Sequence, residues 1–287
     1  MTTPEWTAEV VVDAGLARRL IRGQFPAFAD APLELLSEGW DNTVWRSGDW
    51  VFRFPRREVV VPGLRREIAV LPGLHLTLPL AVPRPELIGE PAHGFPFPWF
   101  GARFLPGREP LGLSEAQRDG LGRPLGEFLR ALHAQPGHGL PLDANARADM
   151  AKRVPMLRES FGALGEPVPE AILAAALELP PAAPGGLAHG DLHLRHLLVD
   201  EAGAPTAVID WIDVCVGDPA IDLPLYWCLL TPAARDDFRA AYPVTDEQLL
   251  RGRVLALFLC AVLARYARDV GDRALEAEAL AGLRRSV

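Results

Sequence analysis

Hydrophobic and polar positions describe a chain that is strand-rich at first and helical later. Asp13 stands before an apolar segment and is placed to cap a helix reaching about Phe25. Leu33-Glu34-Leu35-Leu36, Thr43-Val44-Trp45-Arg46 and Trp50-Val51-Phe52-Arg53-Phe54 then read as strands. Ser47-Gly48-Asp49, between the last two, is hairpin-turn chemistry. A charged helix over about 64–71 carries Glu67. Pro79, Pro83, Pro85, Pro91, Pro96 and Pro98 restrict the next stretch to extended loop and edge strand. A hinge is expected over 100–107.

Beyond the hinge the period turns helical. Ser114 and Gln117 form a capping box for a helix to about His133, with Leu121, Leu125, Phe128, Leu129 and Leu132 on its apolar face. Two amphipathic segments follow, near 146–163 and 168–178. Pro180 to Gly186 breaks the chain. Leu197-Leu198-Val199 and Thr206-Ala207-Val208-Ile209 read as short strands around the turn Asp200-Glu201-Ala202-Gly203. Helices are predicted over about 219–230, 232–241, 246–268 and 272–285. The architecture expected is α+β in two lobes, 1–101 and 102–287. The first is a small antiparallel sheet and the second a larger helical lobe, with a ligand cleft between them.

Charge and composition narrow the class. The net charge is −8, and no basic stripe is present, which argues against nucleic-acid or anionic-membrane partners. Cys215, Cys228 and Cys260 form no C-x-x-C pair and no metal spacing, so they read as small buried residues of a reducing compartment. Glu5, Trp6 and Glu9 precede any apolar run, unlike a signal peptide. The run from Val254 to Ala264, closed by Arg253 and Arg265, is too short to span a bilayer. A cytoplasmic protein is expected.

The chemistry concentrates in His189-Gly190-Asp191-Leu192-His193-Leu194-Arg195-His196 and Val208-Ile209-Asp210-Trp211-Ile212-Asp213. Asp191 and Asp210 flank the predicted hairpin at loop–strand junctions. Phosphoryl transfer needs such a pair: one carboxylate accepts or orients a hydroxyl proton, and the other holds a divalent metal against the phosphates. A second metal ligand five residues after the base completes a kinase catalytic loop. Here that position is His196, where kinases carry Asn.

These motifs, with Gly217-Asp218-Pro219-Ala220-Ile221-Asp222-Leu223, resemble the aminoglycoside phosphotransferase family, relatives of the protein kinases. The resemblance runs from about Ser37 to Asp222. It implies a protein-kinase-like two-lobed fold, with Asp191 as catalytic base and His196 and Asp210 as ligands to Mg²⁺ or Mn²⁺. His189 orients the loop, and Asp213 supports the metal loop. Asp218 and Asp222 tie that loop to the following helix. Arg53 takes the place of the phosphate-gripping lysine, with Glu67 as its partner. An ordinary surface pair is the alternative for these two. Ser37-Glu38-Gly39-Trp40-Asp41-Asn42-Thr43 is the nucleotide loop, using Gly39 and Asn42, and Arg103-Phe104-Leu105 reads the base through backbone groups.

The expected reaction moves the γ-phosphoryl group of ATP or GTP to a hydroxyl of an antibiotic-like acceptor. Histidine at 196 is familiar among macrolide kinases and appears in some aminoglycoside kinases. A macrolide would want an apolar wall, with Leu225, Trp227, Leu229 and Phe238 as candidates. An aminoglycoside would want carboxylates. Asp236, Asp237, Asp246, Glu247, Asp269 and Asp272 read either as solvated helix ends or as such a wall. A choline- or sugar-type kinase and a ligand-binding pseudokinase without turnover stay open.

Overall fold

The computed structural model describes residues 8–39, 41–137 and 139–287; Glu5, Trp6 and Trp40 lie outside the described residues. Two compact units are formed, 1–77 with 82–105, and 78–81 with 106–287.

In the N-terminal unit, α1 (Ala14–Gln24) starts where the Asp13 carboxylate accepts the Leu16 N–H at 2.7 Å. The strands β1 (Glu34–Glu38), β2 (Asn42–Ser47), β3 (Trp50–Pro55), β4 (Pro85–Gly89) and β5 (Trp99–Arg103) make one antiparallel sheet, ordered β1-β2-β3-β5-β4. Gly48 turns the β2–β3 hairpin at φ +58°, a conformation that suits glycine. Strand alternation sends Phe52, Phe54 and Trp99 to one face, packed with Leu20 and Ile21 of α1. Val51, Phe100 and Ala102 go to the other, packed with Leu64 and Ile68 of α2 (Val61–Leu74). Arg53 shares the parity of Val51, which puts it on the α2 side. The stretch 100–103 expected as hinge is instead a central strand, because Trp99, Phe100 and Ala102 are buried in this core.

In the C-terminal unit, the helix expected from Ser114 divides into α3 (Glu115–Asp119) and α4 (Gly122–His133). Pro124 cannot donate to the Gly120 carbonyl, so the helix restarts there. Asp149 caps α5 (Met150–Leu164), and α6 (Glu170–Leu177) follows. Then come β6 (Gly186–Ala188), β7 (Leu197–Val199), β8 (Pro205–Val208) and β9 (Cys215–Gly217). The helix expected over 219–230 is a 3-10 turn, Pro219–Asp222, and a short α7 (Pro224–Cys228), separated where Pro224 cannot continue the turn. The last elements are α8 (Pro232–Ala241), α9 (Asp246–Val270) and α10 (Arg273–Ser286). Buried Arg118 and Glu278 join α3 to α10 at 2.8 Å. No helix is long and apolar enough to cross a membrane among the described residues.

The strand pairing here positions the site. β6 pairs with β9 and β7 with β8, both antiparallel, so one two-stranded sheet is nested inside the other. The connection β6→β7 (189–196) and the connection β8→β9 (209–214) therefore meet at one junction. Two hydrogen bonds close it: Ile209 N–H to His196 C=O at 2.9 Å, and His189 Nε2 to Ile209 C=O at 3.0 Å.

Candidate active site

Asp191 is held by its own loop. Gly190 adopts φ +88°, and a Cβ there would stand 2.4 Å from the Asp213 carbonyl oxygen, so only glycine lets the two loops approach. His189 Nδ1 accepts the Asp191 N–H at 3.2 Å while Nε2 reaches the Ile209 carbonyl, which makes His189 a neutral Nε2–H strut. Burial also lowers its pKa. The Asp222 carboxylate accepts the His189 and Gly190 N–H groups at 2.8 and 2.9 Å. Asp222 thus supports the 189–196 loop itself. Asp218 caps the next 3-10 turn through the Ala220 N–H at 2.9 Å. Burial pushes the Asp191 carboxyl up to about 6, a value at which a carboxylate could take up a proton near neutrality.

His196 Nδ1 lies 2.7 Å from the Asp191 backbone carbonyl, which can only accept. Nδ1 therefore carries the hydrogen. Burial, reinforced by His193, lowers the His196 pKa and favours the neutral ring. Nε2 then bears a lone pair, and it faces the Asp210 carboxylate at 3.6 Å. Two electron-rich atoms facing each other invite a cation. A ring held by its second nitrogen to a carbonyl is the usual posture of a metal-bound histidine. Asp210 adopts φ +64°, a left-handed conformation that is strained for a residue with a Cβ and characteristic of functional loops. The pair could hold a divalent ion: the carboxylate suits Mg²⁺ or Mn²⁺, while the ring nitrogen is a poorer donor to Mg²⁺ than an oxygen would be. His193 stacks on His196 with ring centroids 3.9 Å apart, and its Nε2 lies 3.5 Å from the Asp191 carboxylate.

Asp213 is a counter-ion. It accepts from Arg147 Nη2 at 2.7 Å, and Arg147 also reaches Asp143 at 2.6 Å. Arg147 and Asp143 carry no motif, so sequence reasoning missed them. The same holds for His133 on α4, 3.1 Å from Asp222 through Nε2 and 2.7 Å from the Tyr242 hydroxyl through Nδ1.

In the N-terminal unit, Arg53 meets Glu67 at 3.0 Å, with side chains 11% and 0% exposed, so this is an interior pair and not a surface one. Gly39 N–H donates to the Asn42 carbonyl at 2.9 Å, and Arg56 and Arg57 clip the loop by pairing with Glu38 and Asp41. The Phe104 N–H is engaged by the Asp49 carbonyl at 2.8 Å, and its ring lies under the Arg46 guanidinium. That N–H is therefore not open to a nucleotide base.

A model of the phosphotransferase enzyme family (APH) matches residues 32–257. The chain belongs to this family. Solved structures agree on the kinase-like fold. The GDP complex of wild-type aminoglycoside 2'-phosphotransferase-IIIa superposes with a TM-score of 0.68 at 23% identity, covering 93% of this chain and 96% of that one. Macrolide 2'-phosphotransferase type I gives 0.62 at 23% identity, covering 96% and 98%. Among curated proteins, the uncharacterized protein YcbJ of Bacillus subtilis (strain 168) is 50% identical over 40 residues. That match spans 14% of this chain and 13% of YcbJ.

The walls expected for an antibiotic are arranged otherwise. Leu225, Leu229 and Phe238 are core residues, fully enclosed by helix packing. Trp227 is covered by the guanidinium groups of Arg235 and Arg253. Of the acidic candidates, Asp246 and Glu247 open α9 and Asp272 caps α10, so these are helix-end charges.

Proposed function

We propose that this chain is a small-molecule kinase that transfers the γ-phosphoryl group of ATP or GTP to an acceptor hydroxyl in the cytoplasm. The observation that carries the reading is the His196 ring, fixed through Nδ1 so that Nε2 and the Asp210 carboxylate face one another beside Asp191. His196 and Asp210 would hold the divalent ion, Mg²⁺ or Mn²⁺, which supplies charge neutralisation on the triphosphate. Asp191 receives or orients the hydroxyl proton. His189 and Asp222 keep its carboxylate in place, and Asp213 does the same for Arg147. Arg53, positioned by Glu67, grips phosphate, and the Gly39–Asn42 turn covers it.

The GDP complex supports a nucleotide donor. The names of the matched structures make aminoglycosides and macrolides the first acceptors to test. The test is nucleotide consumption with ATP and with GTP, in Mg²⁺ and in Mn²⁺, against both antibiotic classes and small alcohols. Mass spectrometry should find one added phosphoryl group on the acceptor. No acceptor-dependent turnover across that panel, with no metal-dependent nucleotide binding, would overturn the reading.

A further inference from the structure

Gly190 and Asp191 open on a cavity of about 240 Å³ within the C-terminal unit. Ile221, Leu255 and Phe258 give it apolar walls, and three cations line it: Arg147, Lys152 and Arg153. These cations are not equivalent. Arg147 is matched by two carboxylates, Asp143 and Asp213. Arg153 is matched by none within ion-pair distance among the described residues. It is only 6% exposed, and its Nε is buried without a hydrogen-bond partner. Its side chain touches the Met156 sulfur at 3.8 Å and lies 4.5 Å from the centre of the Phe258 ring. Lys152 gives its ammonium to the Asn145 carbonyl at 2.9 Å and has no carboxylate partner among the described residues.

Buried charges are normally paired, because desolvating a lone ion is costly. Burial, then the neighbouring Arg147, lowers the Arg153 pKa, and the more distant Asp143 carboxylate offsets this only in part. An added anion would remove that penalty. A polycation would aggravate it by placing ammonium groups beside Arg153 and Lys152. The cavity is also smaller than the roughly 300–1,000 Å³ of sites for drug-sized ligands.

We propose that the acceptor is a compact hydroxylated oxyanion, a carboxylate or phosphate ester on an apolar stem, whose anionic group docks on Arg153 and Lys152 while its hydroxyl meets Asp191. This rests on the kinase reading above, so the experiment has two arms that fail separately.

The binding arm uses benzoate and inorganic phosphate, measured by calorimetry on the full chain without nucleotide. Neither has an alcohol to phosphorylate, so binding is read independently of turnover. Benzoate or phosphate should bind, and Arg153→Met should weaken it about ten- to hundredfold, the range for losing a hydrogen bond to a charged group. Lys152→Glu, at an exposed position, should also weaken binding and serves if Arg153→Met does not fold. The turnover arm compares 6-hydroxyhexanoate with its amide, glycerol 3-phosphate with glycerol, and kanamycin. An anionic acceptor should exceed its neutral partner at least about tenfold in kcat/KM, on the same scale, and the pairs separate carboxylate from phosphate. Anion binding that depends on Arg153 without any turnover would keep the oxyanion site and remove the kinase reading. Turnover indifferent to acceptor charge, with Lys152→Glu and Arg153→Met equal to wild type, would keep the kinase reading and overturn this proposal.

Discussion

Replacing Asp222 by Asn tests whether one buried carboxylate holds the catalytic loop. Oδ2 accepts the His189 N–H at 2.8 Å and lies 3.1 Å from His133 Nε2, and Oδ1 accepts the Gly190 N–H at 2.9 Å. Asparagine preserves the shape but offers one oxygen. In its better rotamer the oxygen serves His189 and His133, and the amide nitrogen faces the Gly190 N–H. One hydrogen bond to a charged acceptor is lost, about 1.5–3 kcal/mol, and a buried donor is left against a donor, about 1–3 kcal/mol. The sum, about 2.5–6 kcal/mol, is a large share of the roughly 5–15 kcal/mol that holds a typical protein folded. Urea unfolding should reveal it, followed by the fluorescence of buried Trp211, whose ring lies 4.6 Å from His189. Turnover should fall in the fraction that stays folded, because Gly190 and Asp191 lose their anchor. The pH dependence has a definite sign. Burial alone would raise the Asp222 pKa, but the hydrogen bond and charge of His133, with His189 and the Gly190 N–H, outweigh it and hold the carboxyl below its usual range. Such a group contributes its stability in full above its unfolded pKa, about 3.9, and loses it as pH falls through the folded value. The stability gap between wild type and Asp222→Asn should therefore narrow below about pH 4. A gap under about 1 kcal/mol at pH 7, less than one hydrogen bond to a charged group, would refute the reasoning. So would a gap that widens in acid.

Four further outcomes are expected. Asp191→Ala should lower kcat by about 10²–10⁴-fold with nucleotide binding kept; retention of more than about a tenth of turnover would remove it as base. Asp210→Ala should abolish the metal dependence of binding a non-hydrolysable nucleotide in calorimetry, and an unchanged Mg²⁺ dependence counts against its role. His196→Asn, exchanging a ring nitrogen for a carbonyl oxygen, should move metal preference from Mn²⁺ toward Mg²⁺, whereas identical metal profiles would mean that His196 does not touch the ion. Arg53→Ala should raise the nucleotide KM more than the acceptor KM, and equal changes in both would argue against a phosphate contact.

Local patterns made the N-terminal sheet legible. Aromatic residues at 50, 52 and 54 alternate with Val51 and Arg53, and the Ser47-Gly48-Asp49 turn joins β2 to β3 in the observed register. The strand at 99–103 was hidden because prolines surround it and both its faces are buried, so it has no polar alternation to read. The breaks at Pro124 and Pro224 were visible as residues, but capping signals and apolar periodicity outweighed them. In β6 and β9 three residues each pair across a separation of about 30 positions, too short to give a period.

The site divides along the same line. As candidates, Asp191, His196 and Asp210 could be singled out because they lie on two connections whose spacing is local to one nested hairpin. Arg147, Lys152 and Arg153 were not, because nothing within 143–153 distinguishes them from an ordinary charged helix start. Their meaning is tertiary: Asp213, on the β8→β9 connection, and Asp143 pair with Arg147, and neither comes within ion-pair distance of Arg153. Gly190 links the two halves, since its missing Cβ lets the catalytic loop settle against Asp213, the residue that holds Arg147 in the cavity wall. The candidate residues for transfer thus sit on two short connections that the sequence already sets apart. On the proposal above, the choice of acceptor depends on which charges remain unmatched once the helices have packed, and only the folded chain reveals those.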